Sequence, residues 1–166
     1  HPKTSPQPSE ADKVACEKTG IKWYIVQPNL KQWVEFEPSG YKASLIGRSY
    51  VYGVHDCWSL VRDYYHQELG IILKDWNRPI NPEDFRKSPM FETCFENTGF
   101  RELTPEEDLI KDDLLLMSMR SKGLNHIGVF LGDQVLLHHM ENRLSSRDLY
   151  DEWLLKCTGM RLRYVA

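Results

Sequence analysis

The chain has 166 residues, of which 41% are hydrophobic and 27% charged, with a net charge of -3. This fits one domain with a short attached piece and enough apolar material for a core, and the negative balance argues against a nucleic-acid footprint. No apolar run approaches the length of a membrane span, and the scattered Cys16, Cys57, Cys94 and Cys157 suggest neither a CxxC pair nor a disulfide framework.

Residues 1–10 are rich in proline and serine, which predicts little order of their own. Residues 12–19 are expected to form a short helix closed by Gly20. Residues 21–26 and 32–36 are expected as strands around a Pro28-Asn29 turn, and Pro38-Ser39-Gly40 marks a boundary. The chain begins at His1 rather than Met, which suggests a processed or excised fragment; the expected division is 1–40 and 41–166.

From Tyr41 a loop leads through Gly53-Val54-His55-Asp56 into Cys57, where helical periodicity begins. Leu60, Val61, Tyr64 and Leu69 recur at helical offsets, and Gly70 is placed to stop the helix. A long irregular stretch is expected to follow as far as Gly99, with one weak helix at Pro82–Lys87. Residues 114–119, 126–131 and 135–138 pattern as strands, the last two joined by a hairpin turn at Gly132-Asp133. Residues 149–155 form a short apolar segment, helical or extended, and residues 160–165 a final strand. A helix followed by sequential strands predicts an α+β fold with an antiparallel sheet packed on the Cys57 helix.

Cys57 falls in the first turn of its helix, where unpaired N–H groups and the helix dipole favour an anion. A thiolate is the nucleophilic form of cysteine, so Cys57 is expected to lose its proton readily and to be the catalytic atom. Such a nucleophile needs a base and a group to orient that base. His126, opening an apolar strand, is the candidate base, and Leu137-His138-His139 on the next strand supplies two candidate orienting residues. A two-residue turn at Gly132-Asp133 places His139 opposite His126, whereas a three-residue turn that includes Gln134 puts His138 on the same face. The pattern leaves both open. A zinc site of Cys57, His126 and His138 is the weaker alternative, because its spacing matches no common zinc pattern. His55 is expected as a loop residue, His66 as a solvated helix position, and Trp23, Trp33, Trp76 and Trp153 as packing residues.

Residues 44–166 resemble the NlpC-type cysteine peptidases, cell-wall endopeptidases with a papain-like core. The likeness rests on Tyr50-Val51-Tyr52-Gly53, on Asp56-Cys57 followed by a helix, on Asn125-His126-Ile127-Gly128-Val129-Phe130-Leu131-Gly132-Asp133, and on the Leu137-His138 strand end. Gly47-Arg48-Ser49-Tyr50-Val51-Tyr52-Gly53-Val54-His55-Asp56-Cys57 and Leu136-Leu137-His138-His139-Met140-Glu141-Asn142-Arg143 are typical of the tail-tip assembly proteins of lambda-like phages.

The resemblance implies Cys57 as nucleophile, His126 as base and His138 as orienting residue, with Tyr50, Asp56 and Trp58 against the substrate. Many family members read Asp-Cys-Ser-Gly, whereas here Trp58 and Ser59 follow the cysteine. No cofactor or metal is implied. The implied partners are peptidoglycan peptide stems and other tail-tip proteins, with no nucleic acid and no membrane span. The implied location is the host cytoplasm during assembly, then the virion tail tip at the host cell wall. A structural tail-tip module with weak or no hydrolase activity is the alternative, and a papain-like amidase or acyltransferase a third. His1-Pro2, Ser9 and Asp12 resemble the second half of a JAMM metallopeptidase motif. The motif's earlier histidine and glutamate are absent here, so residues 1–40 are expected to be a remnant without metal activity.

Overall fold

Short polar side chains set the first element. The Ser9 hydroxyl accepts the Asp12 N–H (3.2 Å), and the Asp12 carboxylate accepts the Ser9 N–H in return (2.8 Å). This capping box satisfies donors left over at the start of α1 (Glu10–Thr19), and Gly20, with φ at +69°, closes the helix in the left-handed conformation. Among the described residues regular structure thus begins at Ser9, inside the segment expected to have little. Two antiparallel strands, β1 (Trp23–Gln27) and β2 (Gln32–Phe36), follow around a 3-10 turn at Pro28–Leu30. The computed structural model describes residues 5–166, so His1 and Pro2 of the metallopeptidase-like pattern lie outside the described residues. Ser9 and Asp12 cap α1. The chain divides into two compact units, one reaching to Ser44 and one running from Leu45 to Ala166.

The second unit is built on α2 (Cys57–Leu69), whose buried face carries Leu60, Val61, Tyr64 and Tyr65. Two short helices follow, α3 (Pro82–Lys87) and α4 (Met90–Cys94), so the stretch expected to be mostly irregular holds more helix than its prolines suggested. Then come β3 (Phe100–Glu102), β4 (Leu114–Met117), β5 (His126–Phe130), β6 (Val135–His138) and β7 (Ser146–Leu149). The chain ends in α5 (Glu152–Cys157) and β8 (Thr158–Tyr164). These strands form one antiparallel sheet in the order β3-β8-β4-β5-β6-β7. The architecture is α+β. Among the described residues no helix is long and apolar enough to cross a membrane.

Alternation divides the sheet into two apolar faces. Leu114, Leu116, Ile127, Val129 and Leu137 join the α2 side chains in one cluster, while Leu115, Met117, Phe130 and Leu136 join Tyr150 and Leu154 in the other. Burial on both faces explains why β4 to β6 appear in the sequence as nearly unbroken apolar runs.

The hairpin turn fixes what the β6 histidines face. Leu131 and Val135 flank Gly132, Asp133 and Gln134, all three left-handed with φ of +85°, +48° and +56°. The turn therefore has three residues, and Gly128 pairs with His138, Val129 with Leu137 and Phe130 with Leu136. His138 thus shares a face with Gly128 and His126.

Gly128 leaves room for this arrangement. A Cβ at that position would sit 2.8 Å from Leu136 Cδ1 and 3.0 Å from both His138 Cβ and the Leu137 carbonyl oxygen. Leu136 can swing its methyl aside, but the other two neighbours are fixed by the ladder. Gly128→Ala is expected to destabilise the protein by about 1–3 kcal/mol through overpacking. Thermal unfolding measures that loss, and an unchanged melting temperature would show that the strand yields more easily than these distances imply.

Candidate active site

A tight turn delivers the chain to α2. Val51 and His55 bridge across it, and Gly53 takes φ of +77° at its tip. The Gly53 N–H donates to Asp56 Oδ2 (2.9 Å). Asp56 then acts as N-cap, accepting the Ser59 N–H at Oδ1 (2.9 Å) while its own N–H donates to Ser59 Oγ (2.7 Å). The residue after an N-cap is the first of the helix, and that residue is Cys57. Sequence pattern located the helix start, but not what holds Asp56 from the other side. Arg78 comes in from the loop before α3 and pairs with both carboxylate oxygens, Nη2 to Oδ1 at 2.9 Å and Nε to Oδ2 at 2.5 Å, with both side chains buried. Arg78 in turn is held by Asp75 (3.1 Å) and the Trp76 carbonyl (3.0 Å).

Trp58 lies on the same side. It is buried and stacks on Trp76 with ring centroids 4.0 Å apart and planes 4° from parallel. Asp56 and Trp58, expected against the substrate, are absent from the walls of the larger cavity at Cys57 and line, with Cys57, Tyr50 and Tyr52, a much smaller one beside it. Their side chains are engaged with Arg78 and Trp76, in the mounting of the helix.

The larger cavity holds about 500 Å³. Its walls include Cys57, His126, Tyr50, His139, Arg143 and Trp153. Trp153 is half exposed there rather than packed as expected. His126 opens β5 after a loop closed by Asn125, whose side chain accepts the Met119 N–H (2.7 Å) and donates to the Met119 carbonyl (3.0 Å). His126 Nε2 lies 3.1 Å from His138 Nδ1, and His138 Nε2 lies 3.1 Å from Asp148 Oδ2 on β7. Arg143 Nη2 approaches the same Asp148 oxygen at 3.3 Å. His139 points the other way, its ring edge-on to Tyr50 with centroids 5.2 Å apart. Of the two adjacent histidines, it is His138 that meets His126. Among the described residues no group of three or more His, Cys, Asp or Glu side chains is placed to hold a metal ion.

Burial dominates the electrostatics. Desolvation pushes the Cys57 thiol up to about 12, and the Asp56 carboxylate adds to this; the Ile127 backbone hydrogen bond, the Arg78 charge and the Trp58 backbone pull weakly the other way. This reverses the expectation from the helix start, because desolvation outweighs the dipole. Burial also drives His126 down to about 3, with His138 and His139 contributing, and His139 down to about 4. Burial thus favours the neutral thiol of Cys57 and the neutral imidazole of His126.

These shifts set a pH window. A folded thiol pKa raised from 9.0 gives stability that is present below 9.0 and lost as pH rises toward 12. A folded His126 pKa depressed from 6.5 gives stability that is present above 6.5 and lost as pH falls toward 3. Stability is expected to be highest between about 6.5 and 9 and to fall on both sides. Alkylation of Cys57 by iodoacetamide is expected to be slow at pH 7 and to rise about tenfold per pH unit above it. Fast labelling at neutral pH would mean that a thiolate–imidazolium pair already exists.

A cysteine at a helix start, with a histidine–histidine pair on the adjoining sheet, is the arrangement of a papain-like cysteine hydrolase. The NlpC/P60 family model matches residues 47–162, and the chain belongs to that family of cysteine peptidases and hydrolases. It is 34% identical over 172 residues to tail tip assembly protein K of Escherichia phage N15, covering 99% of this chain and 67% of that protein. It is 31% identical over 156 residues to tail tip assembly protein K of Escherichia phage lambda, covering 92% and 73%. Solved structures similar to it include the NlpC/p60 domain of the peptidoglycan hydrolase SagA, with a TM-score of 0.46, 18% identity and coverage of 72% of this chain and 89% of that one. An NlpC/P60 family protein from Bacillus cereus has a TM-score of 0.48, 14% identity and coverage of 88% and 51%.

Proposed function

We propose that this chain is a cysteine endopeptidase that cleaves the peptide stems of bacterial peptidoglycan, carried on a phage or prophage tail tip. The observation that carries the reading is the 3.1 Å contact of His126 with His138, in a cavity whose wall also holds Cys57 at the start of α2. Membership of a cysteine-peptidase family and likeness to two phage tail tip assembly proteins support it. Other tail-tip proteins are its proposed partners. It is made in the host cytoplasm, assembled there, and acts at the host cell wall.

The chemistry follows from the resting state. With thiol and imidazole both neutral, the thiol proton passes to His126 as sulfur attacks the peptide carbonyl and the S–C bond forms. The Cys57 N–H, at the first position of α2, is the natural donor to the oxyanion that develops. His126 then gives its proton to the leaving amine as the C–N bond breaks, leaving a thioester. Water, deprotonated by His126, attacks the thioester to release a carboxylate and restore the thiol. Tyr50 and Trp153 border the substrate groove. Asp56 and Trp58 act by holding Cys57.

Mass spectrometry of products from defined muropeptides tests this reading. Cleavage within the stem peptide, lost in Cys57→Ala, is the expected result. Release of the whole stem from the glycan would instead indicate an amidase. A second reading, a structural tail-tip module with weak or no hydrolase activity, is favoured by the burial and high pKa of Cys57. On that reading intact wild-type protein yields no product.

A further inference from the structure

The polar contacts of the site continue past the histidine pair. By strand register His138 lies opposite Gly128 on β5 and opposite Ser146 on β7. His126 and Asp148 are each two residues along from those partners, so His126, His138 and Asp148 run diagonally across one face of β5, β6 and β7. Diagonal neighbours of this kind are within reach of long side chains, and the two contacts in the row are both 3.1 Å.

We propose that Asp148 is a positioning residue that sets the tautomer of His126 through His138. The proposal rests on the reading of His126 as the base for Cys57. A neutral imidazole has one N–H and one lone pair, so each contact dictates the next. The Asp148 carboxylate can only accept, so His138 Nε2 carries the proton. His138 Nδ1 is then a lone pair, and it accepts the Nε2–H of His126. His126 Nδ1 is left bare, able to take the thiol proton. When His126 becomes an imidazolium in the reaction, its Nε2–H still donates to His138, and the Asp148 charge lies at the far end of the row. Arg143, at the cavity rim and 3.3 Å from Asp148, holds the carboxylate in place from the solvent side.

The first test is the tautomer itself, read from long-range 15N–1H spectra of the imidazoles at pH 7. His126→Gln and His138→Gln variants assign the signals. In wild-type protein both His126 and His138 are expected to carry the proton on Nε2; an Nδ1–H form of either residue overturns the proposal. In Asp148→Ala the His138 signal is expected to move toward Nδ1–H, with kcat on defined muropeptides falling about 10–100-fold and KM little changed. Asp148→Asn keeps a carbonyl oxygen for the Nε2–H, so it is expected to keep the wild-type tautomers and most of the turnover. Wild-type tautomers and turnover within twofold in folded Asp148→Ala would show that Asp148 only pairs with Arg143. If wild-type protein has no turnover at all, the endopeptidase reading fails while the spectra still decide the tautomer.

Discussion

Replacing Cys57 by alanine is expected to lower turnover of peptidoglycan stem peptides by about 10⁴–10⁶-fold while leaving the protein folded. The size of the effect comes from the role of sulfur. Without it no acyl-enzyme can form, and the rate that remains is what substrate binding and the backbone N–H of residue 57 supply to a water molecule. The fold is expected to survive because the helix is held by Asp56, Ser59 and Arg78 rather than by the thiol. Far-UV circular dichroism and the melting temperature check that half of the result, and product formation checks the other. Turnover persisting in Cys57→Ala, or vanishing only on substitution of Cys16 or Cys94, would remove Cys57 from the chemistry.

The second large effect is one of stability and lies at Arg78. In Arg78→Met the Asp56 carboxylate keeps the Gly53 and Ser59 N–H groups but loses its counter-charge in a buried place. Breaking a buried pair from one side typically costs about 3–5 kcal/mol. For a protein of this size that corresponds to a drop of roughly 10 °C in melting temperature. Because the remaining cost is an uncompensated charge, Asp56→Asn placed on top of Arg78→Met is expected to recover part of it. A double-mutant cycle on melting temperatures measures the coupling. If Arg78→Met melts within about 2 °C of wild type, the pair contributes little to the mounting of α2.

Both effects centre on residues whose legibility in the sequence differed sharply. The helix at Cys57 could be located because Leu60, Val61 and Tyr64 recur with its period and Gly70 ends it. The strands carrying His126 and His138 showed as apolar runs. Arg78 gave no such signal: it lies 22 residues after Asp56 in a proline-rich stretch, and only the folded loop brings it back. Asp148 was missed because Ser146-Arg147-Asp148-Leu149 is a short, largely polar edge strand, with no apolar alternation to mark it. The upward push of burial on the Cys57 thiol is hard to see in the sequence for a related reason. A helix dipole is local and can be inferred from sequence, whereas desolvation depends on everything that packs around the sulfur. The choice between His138 and His139 turned on whether Gln134 belonged to the turn, and three left-handed residues in a row are a conformation that only Gly132 announces.

That turn also bears on how the protein folds. Leu136 and Leu137 are both fully buried, one on each face of the sheet, so a hairpin closed one residue out of step would still hide a leucine on either side. It would bring His139 opposite His126, whereas the native register sets His138 opposite Gly128 and lets it reach His126 diagonally. Such a species would be compact, with nearly native secondary structure, and inert. A refolded sample can therefore regain its spectrum before its activity, and the slower of the two recoveries would time the closure of residues 132–134.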